Sequence, residues 1–380
     1  MHIFDKIRFV LLHRYAILKR KKEVAAERDY EERRVINDLD QQSFVAKLSK
    51  KEIKAVIATW GQIHDLPIST FKEYELFKSI CGFDCRFLSH QIYLPIVARL
   101  LNDYKITQLL EHKSLLGYLV PGLLRTPKCY IRVFNHEFYD DKMHQISVEE
   151  AVDICGTLDE FVIKDSSSTS GGESFKIVSL FGKSKIEKKA FLKDFFQSKT
   201  KDIVIQERLK QHHSMIKYNS SSINTLRITT LYLNGVCNCL SVILRMGQQG
   251  MTVDNCGAGG ILVGVSENGE LSEVGYDNHL NRFYGVNGVV FKNQKIDQLP
   301  KIIAMVIENH VNQYSLCKLI GWDICIDVNN EPVVVEINSS QPGIFFEQIC
   351  TGPIFGNRTQ EVIDYCNSRD FFYNRALARY

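Results

Sequence analysis

Hydrophobic residues in the first hundred positions recur at three- and four-residue intervals, which is the spacing of one apolar face on an α-helix. In the opening helix these positions are Ile3, Phe4, Ile7, Leu11, Tyr15 and Leu18. The opposite face is basic, from Lys6 to Lys22. We expect the apolar face to pack on the rest of the protein, and weak peripheral contact with an anionic membrane surface is the alternative. Residues 1–100 are therefore predicted to form a mainly helical N-terminal region.

Short apolar runs replace the helical spacing after residue 100 and predict β-strands. Their bounds are 130–134, 161–164, 175–180, 203–206, 226–234, 236–246, 261–265, 321–328 and 332–337. Asn234-Gly235 separates two of these runs, and both residues tolerate the positive φ angles of a tight hairpin turn. Helices are predicted at 299–313 and from 361 onward. Because strands joined by hairpins are interleaved with helices, the sequence predicts an α+β chain built on antiparallel sheets.

The last two predicted strands form a hairpin that carries paired carboxylates. With Asn329-Asn330 at the turn, counting outward places Asp323 directly opposite Glu336, and Asn338 shares their face of the ribbon. Two opposed carboxylates repel each other unless a cation lies between them. Oxygen donors without nitrogen or sulfur suit magnesium, so Asp323, Glu336 and Asn338 are predicted metal ligands. An exposed acidic face is the alternative.

A loop of small residues follows the strand that ends near Lys164. Its backbone N–H and hydroxyl groups are suited to wrap phosphate oxygens, and Lys164 adds a point charge where the strand enters the loop. This loop is not a Walker motif, and a solvated loop tip is the alternative. The residues predicted to bind the cofactor there are Ser167, Ser168, Thr169, Ser170, Gly171 and Gly172.

Residues 102–358 resemble the ATP-grasp superfamily. The likeness combines Lys105 and Lys164, the small-residue loop, the segment after the 203–206 strand, and the Asp…Glu-x-Asn pattern of the last hairpin. It implies that the two lysines hold nucleotide phosphates and that the loop acts as a lid. The implied hinge beside the adenine comprises Gln206, Glu207, Arg208 and Leu209.

The resemblance implies an ATP-grasp fold in which two α+β lobes clamp a nucleotide. The small nucleotide-binding lobe is expected at 101–207 and the large catalytic lobe at 208–380. ATP and Mg²⁺, expected as two ions, are the implied cofactors. A narrower similarity to the sugar-transfer-associated ATP-grasp family rests on Gln206-Glu-Arg-Leu, Asn224-Thr-Leu-Arg227, Arg245 and Asp254-Asn-Cys-Gly-Ala-Gly-Gly260.

Two positions depart from the superfamily pattern. An acidic residue for the ribose hydroxyls has no counterpart in the stretch 211–214, so that contact is unassigned. Gly321 and Trp322 stand where D-alanine–D-alanine ligases carry a basic residue before the first metal carboxylate, and Arg245 is the expected replacement.

Phosphoryl transfer to a carboxylate needs a guanidinium to orient the acid, and Arg227 and Arg245 are the candidates, with Lys164 as the third predicted catalytic residue. Regular pairing outward from the hairpin turn places Arg245 opposite Asn224 and Arg227 opposite Val242, on different faces. Without a β-bulge the two arginines cannot share one cleft. Arg245 is the stronger candidate for contact with the substrate, and a surface ion pair is the alternative.

The glycine-rich segment from Asp254 to Gly260 has two interpretations. Asn255, Gly259 and Gly260 are predicted to let the backbone approach the substrate, because glycine lacks the side chain that would block such contact. A plain tight turn explains the same residues equally well.

Composition narrows the cellular setting. The formal net charge of +3 is small for a protein that binds nucleic acid. The 11 cysteines show no metal-binding spacing, so free thiols in a reducing cytoplasm are expected. No signal peptide and no apolar run of about 18 residues, the length that would span a bilayer, is recognised.

The sequence therefore predicts an ADP-forming ligase that activates a carboxylate as an acyl phosphate and joins it to an amine. Its expected partners are small-molecule carboxylates and amines, sugar-linked or amino acids, in the synthesis of a surface glycan precursor. A ligase that modifies peptides is one alternative. A nucleotide-binding scaffold without catalysis is the other.

Overall fold

The structure is a computed structural model that describes residues 46–119, 122–167, 175–197 and 201–369, together with Tyr15, Leu18, Lys19, Lys22 and Ala26, which are helical. The remaining predictions for the opening amphipathic helix, and those for Ser168 to Gly172, lie outside the described residues. The chain divides into two compact units, one of residues 1–104 with 340–380 and one of residues 105–339.

The first unit is helical, as predicted for the region before the sheets. Its helices are Lys50–Trp60, Ile68–Ile80, His90–Ile92, a π-helical turn at Tyr93–Val97, Ala98–Leu101, Phe345–Thr351 and Thr359–Asn367. Ser49 begins the first of them with a capping box, in which its hydroxyl accepts a hydrogen bond from the Glu52 backbone. Among the described residues, no helix has both the length and the apolar composition needed to cross a membrane.

Residues after Ser340 belong to this helical unit. The side chain of Gln348 accepts a hydrogen bond from the Leu88 N–H at 2.8 Å and donates one to the Leu88 carbonyl at 2.9 Å. The predicted large lobe, 208–380, included these C-terminal residues. The lobe boundaries themselves stay a prediction.

The second unit begins with a six-stranded antiparallel sheet in the order β3-β2-β1-β6-β4-β5. Its strands are β1 Cys129–Phe134, β2 Glu137–Tyr139, β3 Gln145–Ile146, β4 Glu160–Asp165, β5 Lys176–Ser179 and β6 Ile203–Gln206. Two helices, Val148–Gly156 and Lys185–Gln197, supply Ala151 and Leu192 to the same buried core as Ile131 and Phe161. Alternate apolar residues of the strands therefore close one face of this sheet.

A seven-stranded sheet follows, in the order β11-β10-β9-β8-β7-β14-β15. Its strands are β7 Thr225–Leu233, β8 Val236–Met246, β9 Ile261–Val265, β10 Leu271–Tyr276, β11 Arg282–Phe283, β14 Leu319–Ile326 and β15 Pro332–Asn338. A two-stranded ribbon joins β12 Gly285–Val286 to β13 Val289–Val290. The helices of this part are Tyr104–Leu110, His213–Ile216 and Leu299–Gln313, and the last packs its buried face on the sheet around Trp322.

Both predicted hairpins are present, and both contain a β-bulge. Asn234 and Gly235 have the predicted positive φ angles, 51° and 79°. The β7–β8 register shifts between Thr229 and Thr230, which leaves Leu240 as the extra residue. The β14–β15 register shifts between Asp323 and Ile324, which leaves Val335 as the extra residue. These bulges decide which side chains face the site.

All 11 cysteines are free thiols, and Cys155, Cys317, Cys325 and Cys366 are buried. Burial raises the pKa of the Cys155 thiol to about 12, so this side chain behaves as a small apolar group.

Candidate functional site

Asp323 lies at the centre of a cluster of charged side chains on the seven-stranded sheet. Arg227 donates two hydrogen bonds to the Asp323 carboxylate, from Nε to Oδ1 at 2.6 Å and from Nη2 to Oδ2 at 3.1 Å. Arg245 donates from Nη1 to Oδ2 at 2.9 Å. Burial alone would raise the pKa of Asp323, but the two guanidiniums outweigh it and hold the pKa at about 2. Asp323 is therefore an anion with two cationic partners.

The bulge in β7–β8 brings the two arginines to one face. Regular pairing predicted that Arg245 faces Asn224, and this register was wrong. Beyond the bulge Arg245 pairs with Thr225, and Arg227 is the direct cross-strand partner of Asp323. Because Thr225 and Arg227 are two residues apart on one strand, both guanidiniums point to the same side. Both guanidiniums therefore reach Asp323 from neighbouring strands, and the expectation that Arg245 replaces the superfamily's basic residue stays a prediction.

The predicted pairing of the carboxylate ribbon is confirmed. Asp323 lies directly opposite Glu336, and Asn338 pairs with Gly321 two positions further along. Lys113 Nζ forms an ion pair with Glu336 Oε1 at 3.1 Å, and Asn338 Nδ2 donates a hydrogen bond to Asp323 Oδ2 at 3.3 Å. The three predicted oxygen ligands therefore share one face of the ribbon.

The chemistry of these donors fits a magnesium ion. Two carboxylates and one amide oxygen are hard oxygen ligands of the kind that magnesium prefers, and the side chain of Glu336 is 32% exposed whereas that of Asp323 is 7% exposed. In the described part of the chain, no three acidic, histidine or cysteine side chains gather around one metal position. The third donor of this set is instead the amide of Asn338.

Two lysines approach the same carboxylates. Burial lowers the pKa of the ammonium group of Lys164, on β4. The negative charges of Glu336, Asp323 and Asp254 offset part of this effect. Lys113 is 11% exposed, and its backbone N–H donates to the carbonyl of Ser166 at 2.9 Å. Lys105 is exposed on the helix Tyr104–Leu110, and its role in phosphate binding stays a prediction.

A cavity of about 540 Å³ opens between the two sheets and reaches Lys164. Val162 and Ile177 of the six-stranded sheet form one wall, and the bulged Val335 contributes from the ribbon. Its apolar walls with a few polar groups are typical of a ligand site of this size. The remaining lining residues include Pro127, Phe175, Gln206, Glu207, Arg208, Leu209, Lys210, Gln211, Ser220, Ser221, Ser222 and Thr252.

The four predicted hinge residues, Gln206 to Leu209, all line this cavity. Arg125 fixes the hinge, because its guanidinium binds the carboxylate of Glu207 and also that of Asp327, the latter at 3.1 Å. The Glu207 N–H donates to the Lys128 carbonyl at 2.8 Å. The hinge is thus connected to the end of the carboxylate ribbon.

The glycine-rich segment folds as a capped turn beside Arg245. The Asn255 side chain accepts a hydrogen bond from the Gly257 N–H at 2.9 Å, and Gly259 has a φ of 97°. A Cβ on Gly260 would lie 2.5 Å from the Asp254 carbonyl. The turn itself therefore requires these glycines. Contact of Asn255, Gly259 and Gly260 with a substrate stays a prediction.

Sequence reasoning missed three residues of the site. Lys113 has no motif around it. The backbone of Arg125 is placed by an isolated parallel bridge to Val333 that no local pattern reveals, and its guanidinium binds the carboxylates of Glu207 and Asp327. Asp254 was noted only as part of a motif. Lys113 follows the end of the helix Tyr104–Leu110, the first helix of the predicted nucleotide lobe. A search for basic residues close to the end of that helix would have found it.

Comparison with known proteins places this geometry in a family. The sugar-transfer associated ATP-grasp family matches residues 97–364. No curated protein sequence matches the chain. Among solved structures, the D-alanyl-alanine synthetase A of Vibrio cholerae is 11% identical, with a TM-score of 0.38 over 68% of this chain and 65% of that one.

Two further structures are similar at the same level. The L-amino acid ligase of Bacillus licheniformis is 12% identical, with a TM-score of 0.33 over 69% of this chain and 48% of that one. The biotin carboxylase domain of Hydrogenobacter thermophilus 2-oxoglutarate carboxylase, in complex with MgADP and bicarbonate, is 10% identical, with a TM-score of 0.43 over 71% and 48%. The chain thus spans less than two thirds of each of these three proteins, and similarities this weak assign no reaction.

The family match alone covers well over half of the chain, and the two antiparallel sheets with their preceding helices agree with it. The α+β ATP-grasp fold predicted from the sequence is confirmed. The chain belongs to the sugar-transfer associated ATP-grasp family.

Proposed function

We propose that this protein uses ATP and Mg²⁺ to activate a carboxylate as an acyl phosphate and then joins the acyl group to an amine, releasing ADP and phosphate. One observation carries the proposal. Four basic side chains, Lys113, Lys164, Arg227 and Arg245, lie near the predicted metal carboxylates, and Lys164 also lines a nucleotide-sized cavity. Such a cluster suits a reaction in which negative charge moves between phosphate and carboxylate oxygens.

The nucleotide has a proposed orientation. Its adenine lies against Gln206 to Leu209, which line the same cavity as Lys164. Lys164 lines the same cavity and turns the triphosphate toward Glu336. Lys113, in contact with Glu336, joins Lys164 at the phosphates, in addition to or in place of Lys105.

Asp323, Glu336 and Asn338 would hold the magnesium. The ion, when bound, supplies charge neutralisation to the phosphate oxygens. The two arginines then orient the acid. The side chain of Arg245 is 13% exposed and that of Arg227 is 12% exposed. Because each guanidinium is largely shielded from water, a charge-assisted hydrogen bond from it to a carboxylate is strong.

The reaction proceeds by two displacements. A carboxylate oxygen attacks the γ-phosphorus of ATP, and ADP leaves. The amine nitrogen then attacks the carbonyl carbon of the acyl phosphate, and phosphate leaves. Exclusion of water between the two sheets protects the acyl phosphate from hydrolysis. The family's association with sugar transfer supports a precursor of a surface glycan as the product.

Carboxylate-stimulated release of ADP tests the proposal. The purified protein is incubated with Mg-ATP and single members of a panel of amino acids and uronic acids, with and without a primary amine. The expected result is ADP formation that requires the acid, and transfer of ¹⁸O from a labelled carboxylate into phosphate. ADP formation without ¹⁸O transfer contradicts the acyl phosphate, and bound nucleotide without turnover favours the non-catalytic scaffold.

Two substitutions on one hairpin give the matched comparison. Glu336→Gln removes a proposed metal ligand, and it is expected to lower ADP formation at least about 100-fold, since the charge of a metal carboxylate is lost. Glu331→Gln changes an exposed carboxylate at the turn of the same hairpin and is expected to keep the rate of the unmodified protein. Equal rates in the two variants would remove Glu336 from the mechanism.

A further inference from the structure

A third carboxylate lies in the charged cluster but outside the predicted metal ribbon. Asp254 precedes the glycine-rich turn, and its side chain is 15% exposed. The hydroxyl of Thr225 donates a hydrogen bond to its Oδ2, and Arg245 Nη2 lies 3.7 Å from its Oδ1. Two neighbours therefore fix the orientation of this carboxylate.

Arg245 lies between two carboxylates, those of Asp323 and Asp254, to which different roles are assigned. Its Nη1 contacts Asp323, a predicted metal ligand, and its Nη2 faces Asp254. Burial lowers the pKa of Arg245, but the two carboxylates outweigh this effect and raise it overall. The guanidinium is charged throughout the reaction, so an acid that it binds is held next to Asp254.

The nucleophile has to reach the carbonyl carbon of that acid. Reacting atoms in a productive complex lie about 3–3.5 Å apart. An amine that attacks an acyl group bound at Arg245 is therefore close to Asp254, the carboxylate that faces Nη2 of the same guanidinium. Among the carboxylates that the structure gathers here, Asp323 and Glu336 face the predicted cation, which leaves Asp254.

We propose that Asp254 binds the protonated amine substrate and takes its proton as the carbon–nitrogen bond forms. The inference rests on the proposed function and names the second substrate as a primary amine that arrives as an ammonium ion. An ammonium group is recognised by a carboxylate with a fixed orientation, and removal of its proton frees the lone pair that attacks.

The ammonium nitrogen gives one proton to Asp254, and its lone pair forms the bond to the carbonyl carbon. The bond from that carbon to the phosphate oxygen breaks. The second proton lost from nitrogen goes to the departing phosphate, which leaves as hydrogen phosphate. The amide keeps one N–H, and Asp254 releases its proton to water.

Hydroxylamine separates this step from the first half of the reaction. It is neutral at neutral pH and attacks acyl phosphates without an ammonium-binding group, giving a hydroxamate. The full-length protein and its Asp254→Asn variant are compared with Mg-ATP and the panel acids, using either hydroxylamine or a primary amine that is mostly protonated (L-alanine or ethanolamine). Hydroxamate and amide are measured separately.

The expected result is selective. Asp254→Asn forms hydroxamate within about twofold of the unmodified protein and loses about 100-fold or more of amide formation, the size of a general-base contribution. Asp254→Glu, which keeps a carboxylate, recovers part of the amide rate. Asp297→Asn, an exposed aspartate of the same unit, is the matched control and keeps both rates.

The contrary outcomes are distinct. If hydroxamate and amide formation fall in parallel in Asp254→Asn, the carboxylate acts on the first half of the reaction through Arg245, and the inference is overturned. If Asp254→Asn retains both, Asp254 has no part in amine transfer. If the unmodified protein forms no hydroxamate, the proposed function fails and the inference falls with it.

Discussion

Asp323 and Glu336 each lie next to side chains of opposite charge. Asp323 has two guanidiniums, and Glu336 has the ammonium group of Lys113. Removing one member of such a cluster leaves another charge without compensation, which costs about 3–5 kcal/mol for a buried pair. The site therefore supports the local fold as well as the proposed chemistry, and stability has to be measured alongside activity in every site variant.

His310 provides a test of how the ribbon is supported from behind. The imidazole is fully buried, Nε2 donates to the Cys317 carbonyl at 2.9 Å, and Nδ1 accepts from the Thr230 hydroxyl at 2.8 Å. Thr230 in turn accepts from the indole N–H of Trp322, at 2.8 Å, next to Asp323. These bonds fit one neutral tautomer, and burial lowers the pKa of His310 to about 4.

Because folding favours the neutral imidazole, its contribution to stability is complete above the ordinary histidine pKa of 6.5 and is lost as pH falls toward 4. We expect the free energy of unfolding to fall by about 3 kcal/mol over that range on account of this group. Urea unfolding of His310→Gln is expected to lack this pH-dependent part. The exposed His279→Gln serves as control, and an unchanged slope in His310→Gln would contradict the assignment.

Single residues were predictable where the side-chain pattern was local. Asp323, Glu336 and Asn338 belong to one hairpin, and counting outward from Asn329-Asn330 placed them on one face. Near the turn the strands pair one position away from that count, as Ile326 with Pro332, and the bulge at Val335 restores the counted pairing at Asp323. Lys113 and Arg125 reach the site through contacts with residues that are far apart in sequence. No periodicity encodes such contacts, and the sequence alone could not single them out.

At the scale of the elements, the bounds of the longer strands were predicted closely. The pairing of Asp323 with Glu336 was predicted correctly, and the pairing of β7 with β8 beyond its bulge was wrong. The runs at 203–206 and 261–265 coincide with β6 and β9, because a buried apolar run ends where polar residues begin. The β7–β8 bulge has no comparable signal, since Leu240 fits a regular strand as well as a bulged one. Short pairs such as β12–β13 were missed because two residues carry too little pattern.

The length of β8 can be changed to test what the register does for the site. Insertion of one alanine after Leu240, with the one-residue bulge kept, is expected to move Arg245 opposite Asn224 and so to the opposite face, because a one-residue shift reverses every side chain. ADP formation should then be lost, and the free energy of unfolding should fall by at least about 3 kcal/mol through the unpaired charges.

Deletion of Leu240 is the matched control for that insertion. It removes the bulge, but Cys239 and Ser241 keep their partners on β7, so Arg245 stays opposite Thr225 and its contact with Asp323 is retained. ADP formation by the deletion variant is expected to stay near that of the unmodified protein. Full activity of the insertion variant would show that the register of Arg245 does not matter.

At the scale of the whole molecule, the proposed nucleotide site is one cavity between two sheets of the second unit. One sheet supplies Lys164 to this cavity and the other supplies Val335, the neighbour of Glu336. Arg125 holds the hinge to the ribbon through Glu207 and Asp327. A nucleotide is expected to bind both sheets at once. Its affinity should therefore depend on magnesium, because the carboxylates repel a bare triphosphate.

Titration calorimetry of ATP, with and without Mg²⁺, tests this claim most directly. The unmodified protein and Glu331→Gln are expected to bind ATP with micromolar affinity in the presence of Mg²⁺, on the order of 8 kcal/mol of binding free energy. Without the ion, or in Glu336→Gln, the affinity should fall at least about tenfold. ATP affinity that is the same with and without Mg²⁺, and the same in Glu336→Gln, would contradict the account.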